Sequence, residues 1–195
     1  MKYKFTQDWH TRHIPVWEWA LKDLKGKPIQ AIELGSYEGQ ASVWLLDNIL
    51  THDKANLICV DTWEGSEEHS DTDMKAVRDN FNHNLACKRR GIGKVRIFKG
   101  TSTDFLLTNQ ETEADLIYID ASHRAADVLS DAVLSDLLLK PGGILIFDDY
   151  IWGAGLEHRV DTPRAAIDAF MECYADRYDM VVTGVQVILK KKNNG

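Results

Sequence analysis

Cysteine and proline are scarce in this chain of 195 residues, which contains three cysteines and four prolines. Cys59, Cys87 and Cys173 lie far apart and form no C-x-x-C pair, so the sequence shows neither a disulfide framework nor a cysteine-based zinc site. A chain that keeps its few thiols separate is typical of a reducing compartment, and we expect a cytoplasmic protein.

Long hydrophobic runs and an excess of basic charge are also missing. The first residues lead into no apolar signal segment, and no run approaches the length that spans a bilayer. The formal net charge is -7, from 23 basic and 30 acidic residues, which argues against nucleic acid as the main partner. We therefore expect no membrane and no nucleic-acid partner, while a homo-oligomer remains compatible with the sequence.

The dinucleotide-binding pattern G-x-G-x-x-G is absent from the first turn, which argues against a nicotinamide dehydrogenase. In its place, residues 30–42 combine an apolar run ending in Glu33, a turn with Gly35 and Gly39, and the start of a helical pattern. This succession is typical of the first strand, loop and helix of a doubly wound α/β domain. A tight turn without any ligand would give the same pattern and is the alternative.

The acid at the end of this first strand indicates the kind of ligand. A carboxylate would repel the phosphates of a dinucleotide, so the position of Glu33 favours a ligand with a cation and no phosphate. S-adenosylmethionine fits, because its ammonium can face Glu33 while its carboxylate approaches the loop amides at the helix N-terminus.

Apolar runs and helical patterns alternate along the rest of the chain, with 44% hydrophobic residues overall. This alternation predicts one α/β domain over residues 1–195: a doubly wound, Rossmann-like, mostly parallel seven-stranded sheet with an antiparallel C-terminal strand and helices on both faces. Residues 1–28 are predicted to pack on this domain as a lid and helix segment. Trp9, His10 and His13 either seal that segment onto the sheet or form a lid over the cofactor.

Acidic residues stand at the carboxyl ends of the predicted strands, which is where open α/β sheets bind their ligands. Uncompensated acids destabilise a core, so we expect a cation to offset them, either the sulfonium cofactor or a divalent metal. The acids are Glu33, Asp61, Asp120, Asp148 and Asp149.

Three of these acids form a predicted metal site. Asp120, Asp148 and Asp149 follow neighbouring strands and offer hard oxygen donors that suit Mg²⁺, Mn²⁺ or Ca²⁺. Such a metal would bind a substrate hydroxyl, lower its pKa and generate the oxygen nucleophile. His123, three residues after Asp120, could accept the hydroxyl proton at neutral pH. The alternative is a loop histidine beside a helix N-terminus.

Residues near two other strand ends are candidates for contacts with the nucleoside. Asp61 is placed to hold two ribose hydroxyls. Trp63 either lines the cleft or anchors the surface. Ser102 either bonds an adenine edge or caps the following helix.

Taken together, these motifs resemble the class I S-adenosylmethionine-dependent methyltransferases, and among them the small bacterial-type O-methyltransferases of the catechol and macrocin kind. The resemblance covers nearly the whole chain and is carried by residues 33–39, 60–61, 100–102, 119–123 and 141–150. The catechol enzymes have a lysine in place of His123 and an asparagine in place of Asp149, which argues against a catechol acceptor.

The resemblance implies a set of site residues. His123 and Asp120 would be catalytic, and Asp120, Asp148 and Asp149 would hold the metal. The implied cofactor contacts, together with their neighbours, are Glu33, Gly35, Ser36, Tyr37, Gly39, Asp61, Thr62, Trp63, Thr101, Ser102 and Asp120.

The sequence thus predicts an S-adenosylmethionine-dependent O-methyltransferase that acts on a hydroxyl of a small molecule or sugar, assisted by a divalent metal. One alternative is a metal-independent enzyme in which Asp120 and His123 act alone, and another is a non-catalytic, cofactor-binding assembly subunit. Acceptor specificity is predicted to lie in residues 1–13, 65–73 and 150–160.

Overall fold

The computed structural model describes residues 2–65, 70–87, 95–155, 160 and 162–193. Parts of all three predicted specificity segments, namely residue 1, residues 66–69 and residues 156–159, therefore lie outside the described residues. Within the described ranges, no helix is both long enough and apolar enough to cross a membrane.

Strands and helices alternate in the order that the sequence predicts. The strands are β1 Gln30–Leu34, β2 Asn56–Asp61, β3 Val95–Lys99, β4 Ala114–Ile119, β5 Leu139–Phe147, β6 Tyr178–Thr183 and β7 Val187–Lys191. The helices are α1 Ile14–Ala20, α2 Gln40–Asn48, α3 Met74–Cys87, α4 Ser102–Thr108, α5 Ala125–Leu138 and α6 Pro163–Cys173, with a 3₁₀ turn Thr11–His13 before α1.

The strands form one seven-stranded sheet in the order β3-β2-β1-β4-β5-β7-β6. Neighbouring strands among β1 to β5 pair in parallel, while β7 pairs antiparallel with both β5 and β6. This confirms the predicted doubly wound, mostly parallel sheet. The last two strands form the antiparallel end of the sheet, with β7 between β5 and β6. Val187, Ile188 and Leu189 of β7 are all buried, as expected for a strand covered on both faces.

Helices cover both faces of the sheet. On one face, α1, α2 and α3 contribute buried residues such as Trp17, Leu45 and Phe81. On the other face, α4, α5 and α6 contribute a second apolar cluster that includes Phe105 and Phe170. The sheet order reverses at β1, whose neighbours are β2 and β4, and ligands of such sheets bind at the carboxyl ends beside this point.

The glycine loop after β1 passes directly over the end of β4. Gly35 has a φ of 87°, and a Cβ at this position would lie 2.0 Å from the carbonyl oxygen of Asp120. The amide of Asp120 donates a hydrogen bond of 2.8 Å to the carbonyl oxygen of Leu34. In the structure this glycine permits the close approach of the loop backbone to the backbone of Asp120.

Gly35→Ala is expected to destabilise the fold by about 3 kcal/mol or more, because the methyl group meets backbone atoms and the positive φ is strained for alanine. Urea unfolding of both proteins measures the difference. Gly155→Ala is the matched control, since no atom of the described residues lies within 4 Å of its Cβ position, and it should change stability by less than about 0.5 kcal/mol. Equal unfolding midpoints for the two variants would contradict this account of the loop.

Candidate active site

Glu33, at the end of β1, lies beneath the glycine loop. Its side chain is 1% exposed, and its Oε2 accepts hydrogen bonds from the hydroxyls of Ser36, at 2.8 Å, and Ser42. Burial raises the pKa of Glu33 to about 7, although these hydroxyls act in the opposite direction. Glu33 therefore joins the loop to α2, and its carboxylate faces hydroxyls of the protein.

Asp61, at the end of β2, holds the backbone of the same loop. Its Oδ2 accepts hydrogen bonds from the amides of Ser36 and Tyr37, at 2.9 and 2.8 Å. Its Oδ1 accepts one from the amide of Trp63 at 2.6 Å. Asp61, which the sequence predicts to hold the ribose hydroxyls, thus accepts hydrogen bonds from backbone amides with both of its carboxylate oxygens.

The other predicted nucleoside contacts have structural partners as well. Trp63 is 5% exposed, donates from Nε1 to the carbonyl oxygen of Tyr37 and packs against Phe81, so it supports the loop from below. Thr101 is the N-cap of α4, accepting from the amide of Asp104, and Ser102 is the first residue of that helix. The predicted cap therefore exists, but its residue is Thr101.

The N-terminal segment lies on the outer side of the glycine loop. Buried Glu38 accepts hydrogen bonds from the amide of Thr6, at 2.6 Å, and from Asn80, at 2.8 Å. The ring of Trp9, which is 50% exposed, lies 5.0 Å from that of Tyr37. Residues 4–13 are therefore placed to border any ligand that the loop binds.

Asp120, His123 and Asp149 form a cluster that faces the cleft. One side-chain ligand atom from each of them lies within 4.8 Å of the others. His123 Nε2 lies 2.8 Å from Asp149 Oδ2, and the imidazole packs against the ring of Trp152, with 4.3 Å between centroids. Asp149 has a φ of 57°, an uncommon conformation that directs its carboxylate toward His123 rather than along the strand.

Asp148 is not part of this cluster, and its carboxylate contacts groups inside the protein. Its Oδ2 contacts the hydroxyl of Tyr118 and accepts a hydrogen bond of 3.0 Å from Gln186 Nε2. Its Oδ1 accepts from the amide of Asp149 and lies 3.8 Å from His13 Nε2. The observed cluster thus contains His123, whereas the metal site predicted from the sequence contains Asp148 in its place.

The charges of the cluster act on one another. Asp120 is exposed at the carboxyl end of β4, yet protein atoms surround much of its carboxylate. This loss of hydration, together with the carboxylates of Asp148 and Asp149, raises the pKa of Asp120 well above its ordinary value. Burial raises the pKa of Tyr118 in the same way, and its neighbours Asp120 and Asp148 add to the effect.

Comparison with known proteins now identifies the chain. Its seven-stranded sheet, glycine loop and acid cluster define a class I methyltransferase fold. The chain belongs to the methyltransferase-domain family, whose model matches residues 32–150. This confirms the resemblance read from the sequence motifs.

Solved structures with this fold include several O-methyltransferases. TomG from Streptomyces achromogenes, involved in tomaymycin synthesis and solved in complex with SAM, has a TM-score of 0.67 at 16% identity, over 93% of this chain and 80% of that one. NovP has a TM-score of 0.71 at 15% identity, over 93% and 80%. An O-methyltransferase from Bacillus cereus in complex with SAH has a TM-score of 0.65 at 18% identity, over 96% and 84%.

A curated relative is much longer than this chain. The uncharacterized protein y4gI from Sinorhizobium fredii is 25% identical over 139 residues, which are 71% of this chain and 15% of that protein. The chain therefore spans only a small part of that relative's length.

Several residues of the site were missed by the sequence reading. Tyr118 lies inside a buried apolar strand, and Gln186 lies in the turn between β6 and β7, so the sequence did not indicate a functional role for either residue. The alternation along β4 offered one signal, since a tyrosine two residues before Asp120 lies on the same face of the strand. No comparable sequence signal marks Gln186 or Trp152.

Glu33→Gln is expected to remove a pH dependence of stability. Above the usual pKa of 4.5 the unfolded chain loses the proton that the folded protein keeps up to about 7, so the free energy of unfolding falls as pH rises through this window. Between about pH 5 and about pH 8 the loss due to Glu33 should be at most about 3 kcal/mol. Urea unfolding at both pH values measures it.

Glu64→Gln, at an exposed position, is the control and should keep the pH dependence of the unmodified protein. Parallel stability profiles for the Glu33→Gln variant and the unmodified protein would show that Glu33 titrates normally in the fold.

Proposed function

We propose that this protein is an S-adenosylmethionine-dependent O-methyltransferase that acts on a hydroxyl group of a small molecule or sugar. The observation that carries the proposal is the pairing of His123 with Asp149 beside Asp120, next to the glycine loop. A proton acceptor and a loop suited to a cationic nucleoside thus share one edge of the sheet. The O-methyltransferases of the same fold, with SAM or SAH bound in TomG and the Bacillus cereus enzyme, support this choice.

The glycine loop supplies the features that the methionine end of the cofactor needs. The N-cap of helix α2 is Gly39, which provides no side-chain cap, so the first amides of the helix can receive the cofactor carboxylate. Asp61 holds the loop amides of Ser36 and Tyr37 in place. We assign cofactor binding to this loop and to the adjoining ends of β2 and α4, including Thr62 and Ser102.

Methyl transfer requires the acceptor oxygen, the methyl carbon and the sulfur in line, so positioning contributes much of the rate. In the proposed mechanism His123 would accept the proton of the acceptor hydroxyl. Bound S-adenosylmethionine would supply the methyl group and leave as S-adenosylhomocysteine. Asp149 orients the imidazole and stabilises the imidazolium that forms. Trp152 packs on the other side of the ring and limits its rotation.

The cleft-facing cluster also fits a divalent metal. Asp120 and Asp149 offer carboxylate oxygens and His123 an imidazole nitrogen, and such a mixed set suits Mn²⁺ as well as Mg²⁺. A bound metal would lower the pKa of an acceptor hydroxyl. We propose Asp120, His123 and Asp149 as its ligands, with Asp148 in support, instead of the trio predicted from the sequence. A His123 nitrogen that binds metal cannot also accept a proton, so the metal-dependent and metal-independent versions make different predictions.

His123→Gln is expected to lower kcat by about 10²- to 10⁴-fold, the usual contribution of a general base. Affinity for S-adenosylhomocysteine should stay within about 3-fold, because the variant leaves the loop contacts unchanged. Isothermal titration measures binding, and transfer from labelled S-adenosylmethionine to a panel of sugars and phenols measures turnover. His52→Gln, outside the cluster, is the control. Absence of binding by the unmodified protein would refute the proposed function.

Asp149→Asn is expected to weaken Mn²⁺ binding by about 10-fold or more if the cluster holds a metal, whereas Asp148→Asn should weaken it by less than about 3-fold. Titration monitored by electron paramagnetic resonance measures both. Losses of about 10-fold or more in both variants would restore the ligand set predicted from the sequence, which contains Asp148 as well as Asp149. Turnover that persists in EDTA, without Mn²⁺ binding, would establish the metal-independent version.

A further inference from the structure

Gln186, in the turn between β6 and β7, joins two distant parts of the chain. Its side chain is 3% exposed. Its Oε1 accepts a hydrogen bond of 2.7 Å from Trp17 Nε1, and its Nε2 donates one of 3.0 Å to Asp148 Oδ2. Because an indole nitrogen only donates, the amide oxygen must face Trp17 and the amide nitrogen must face Asp148.

His13 does not take over this role. Its Nε2 lies 3.8 Å from Asp148 Oδ1, beyond hydrogen-bond distance. The same nitrogen accepts a hydrogen bond of 2.9 Å from Arg12 Nε, so it carries no proton to donate. The amide of Gln186 therefore supplies a donor to Asp148 that His13 does not.

Asp148 is connected in turn to the cleft. The hydroxyl of Tyr118 contacts Asp148 Oδ2 and lies 2.8 Å from Asp120 Oδ2. Tyr118 is almost completely buried, with 2% exposure, and its ring packs edge-on against Trp17 at 4.9 Å between centroids. A change in the position of Asp148 would therefore move the hydroxyl that Asp120 contacts.

We propose that Gln186 is a positioning residue for methyl transfer. It holds Asp148 against Tyr118, and Tyr118 in turn fixes the orientation of Asp120 at the cleft. The same side-chain amide links the turn between β6 and β7 both to α1, through Trp17, and to Asp148. The inference rests on the proposed function, since it assigns Gln186 to the reaction that Asp120 and His123 would perform.

Gln186→Glu separates the two contacts of the amide. The new carboxylate can still accept from Trp17, but it lacks the donor for Asp148 and places like charges together. We expect kcat to fall by about 10- to 100-fold, as for other residues that orient a catalytic group, with KM for the acceptor and affinity for S-adenosylhomocysteine within about 3-fold. Gln30→Glu, at the opposite end of the sheet, controls for the added charge.

The rescue variant combines Gln186→Glu with Asp148→Asn, so that the side-chain amide introduced at position 148 donates to the side-chain carboxylate introduced at position 186. We expect Gln186→Glu to lower the urea midpoint and the double variant to recover at least about half of that decrease. The kcat of the double variant should be at least about 10-fold higher than that of Gln186→Glu. Unchanged kcat in Gln186→Glu would overturn the proposal. So would a parallel loss of kcat, cofactor affinity and stability, since that pattern reports a merely structural residue.

The urea midpoints also separate two kinds of failure. Recovery of the midpoint in the double variant establishes the bond between residues 186 and 148 without any turnover measurement. If the unmodified protein transfers no methyl group to any hydroxyl, the proposed function fails and the role of Gln186 in it fails too. If the unmodified protein is active but the double variant recovers neither quantity, only the inference about Gln186 fails.

Discussion

The close backbone contact between Gly35 and Asp120 is the constraint on which the site depends. A single side-chain atom at Gly35 would overlap the carbonyl of Asp120, so the glycine loop and the end of β4 can meet only because one residue lacks a Cβ. The two halves of the site, the loop after β1 and the cluster that contains Asp120 and His123, are thereby held next to each other. Transfer of a group from one half to the other therefore depends on this contact.

The acids at the rim of the sheet are not one uniform patch of charge. Glu33 is offset by two serine hydroxyls, and Asp61 by backbone amides. Asp148 is offset by Tyr118 and Gln186. Among the described residues, Asp120 and Asp149 form with His123 the group that could hold an added cation. Hydrogen-bond donors of the protein thus stabilise several of the acids for which the sequence suggested a bound cation.

Local patterns were sufficient to predict most of the fold. Buried apolar runs ending in acids gave β1, β2 and β4, and Pro163 marked the start of α6. The place of β7 could not be read in this way, because a short apolar strand has the same pattern whether it lies at an edge or between two strands. The start of β5 is likewise set by pairing: proline and glycine usually mark a turn, yet Pro141, Gly142 and Gly143 lie within the strand, because pairing with β4 extends it back to Leu139.

The sequence alone determined the class of fold, the methyltransferase family and the set of acids at one edge of the sheet, because these follow from the order and composition of neighbouring residues. Only the tertiary structure decided the role that each acid can have. Tyr118, Asp148 and Gln186 are distant along the chain and meet through strand pairing and packing. A hydrogen-bond partner is selected by distance and direction in space, and neither is written in the spacing of residues along one strand.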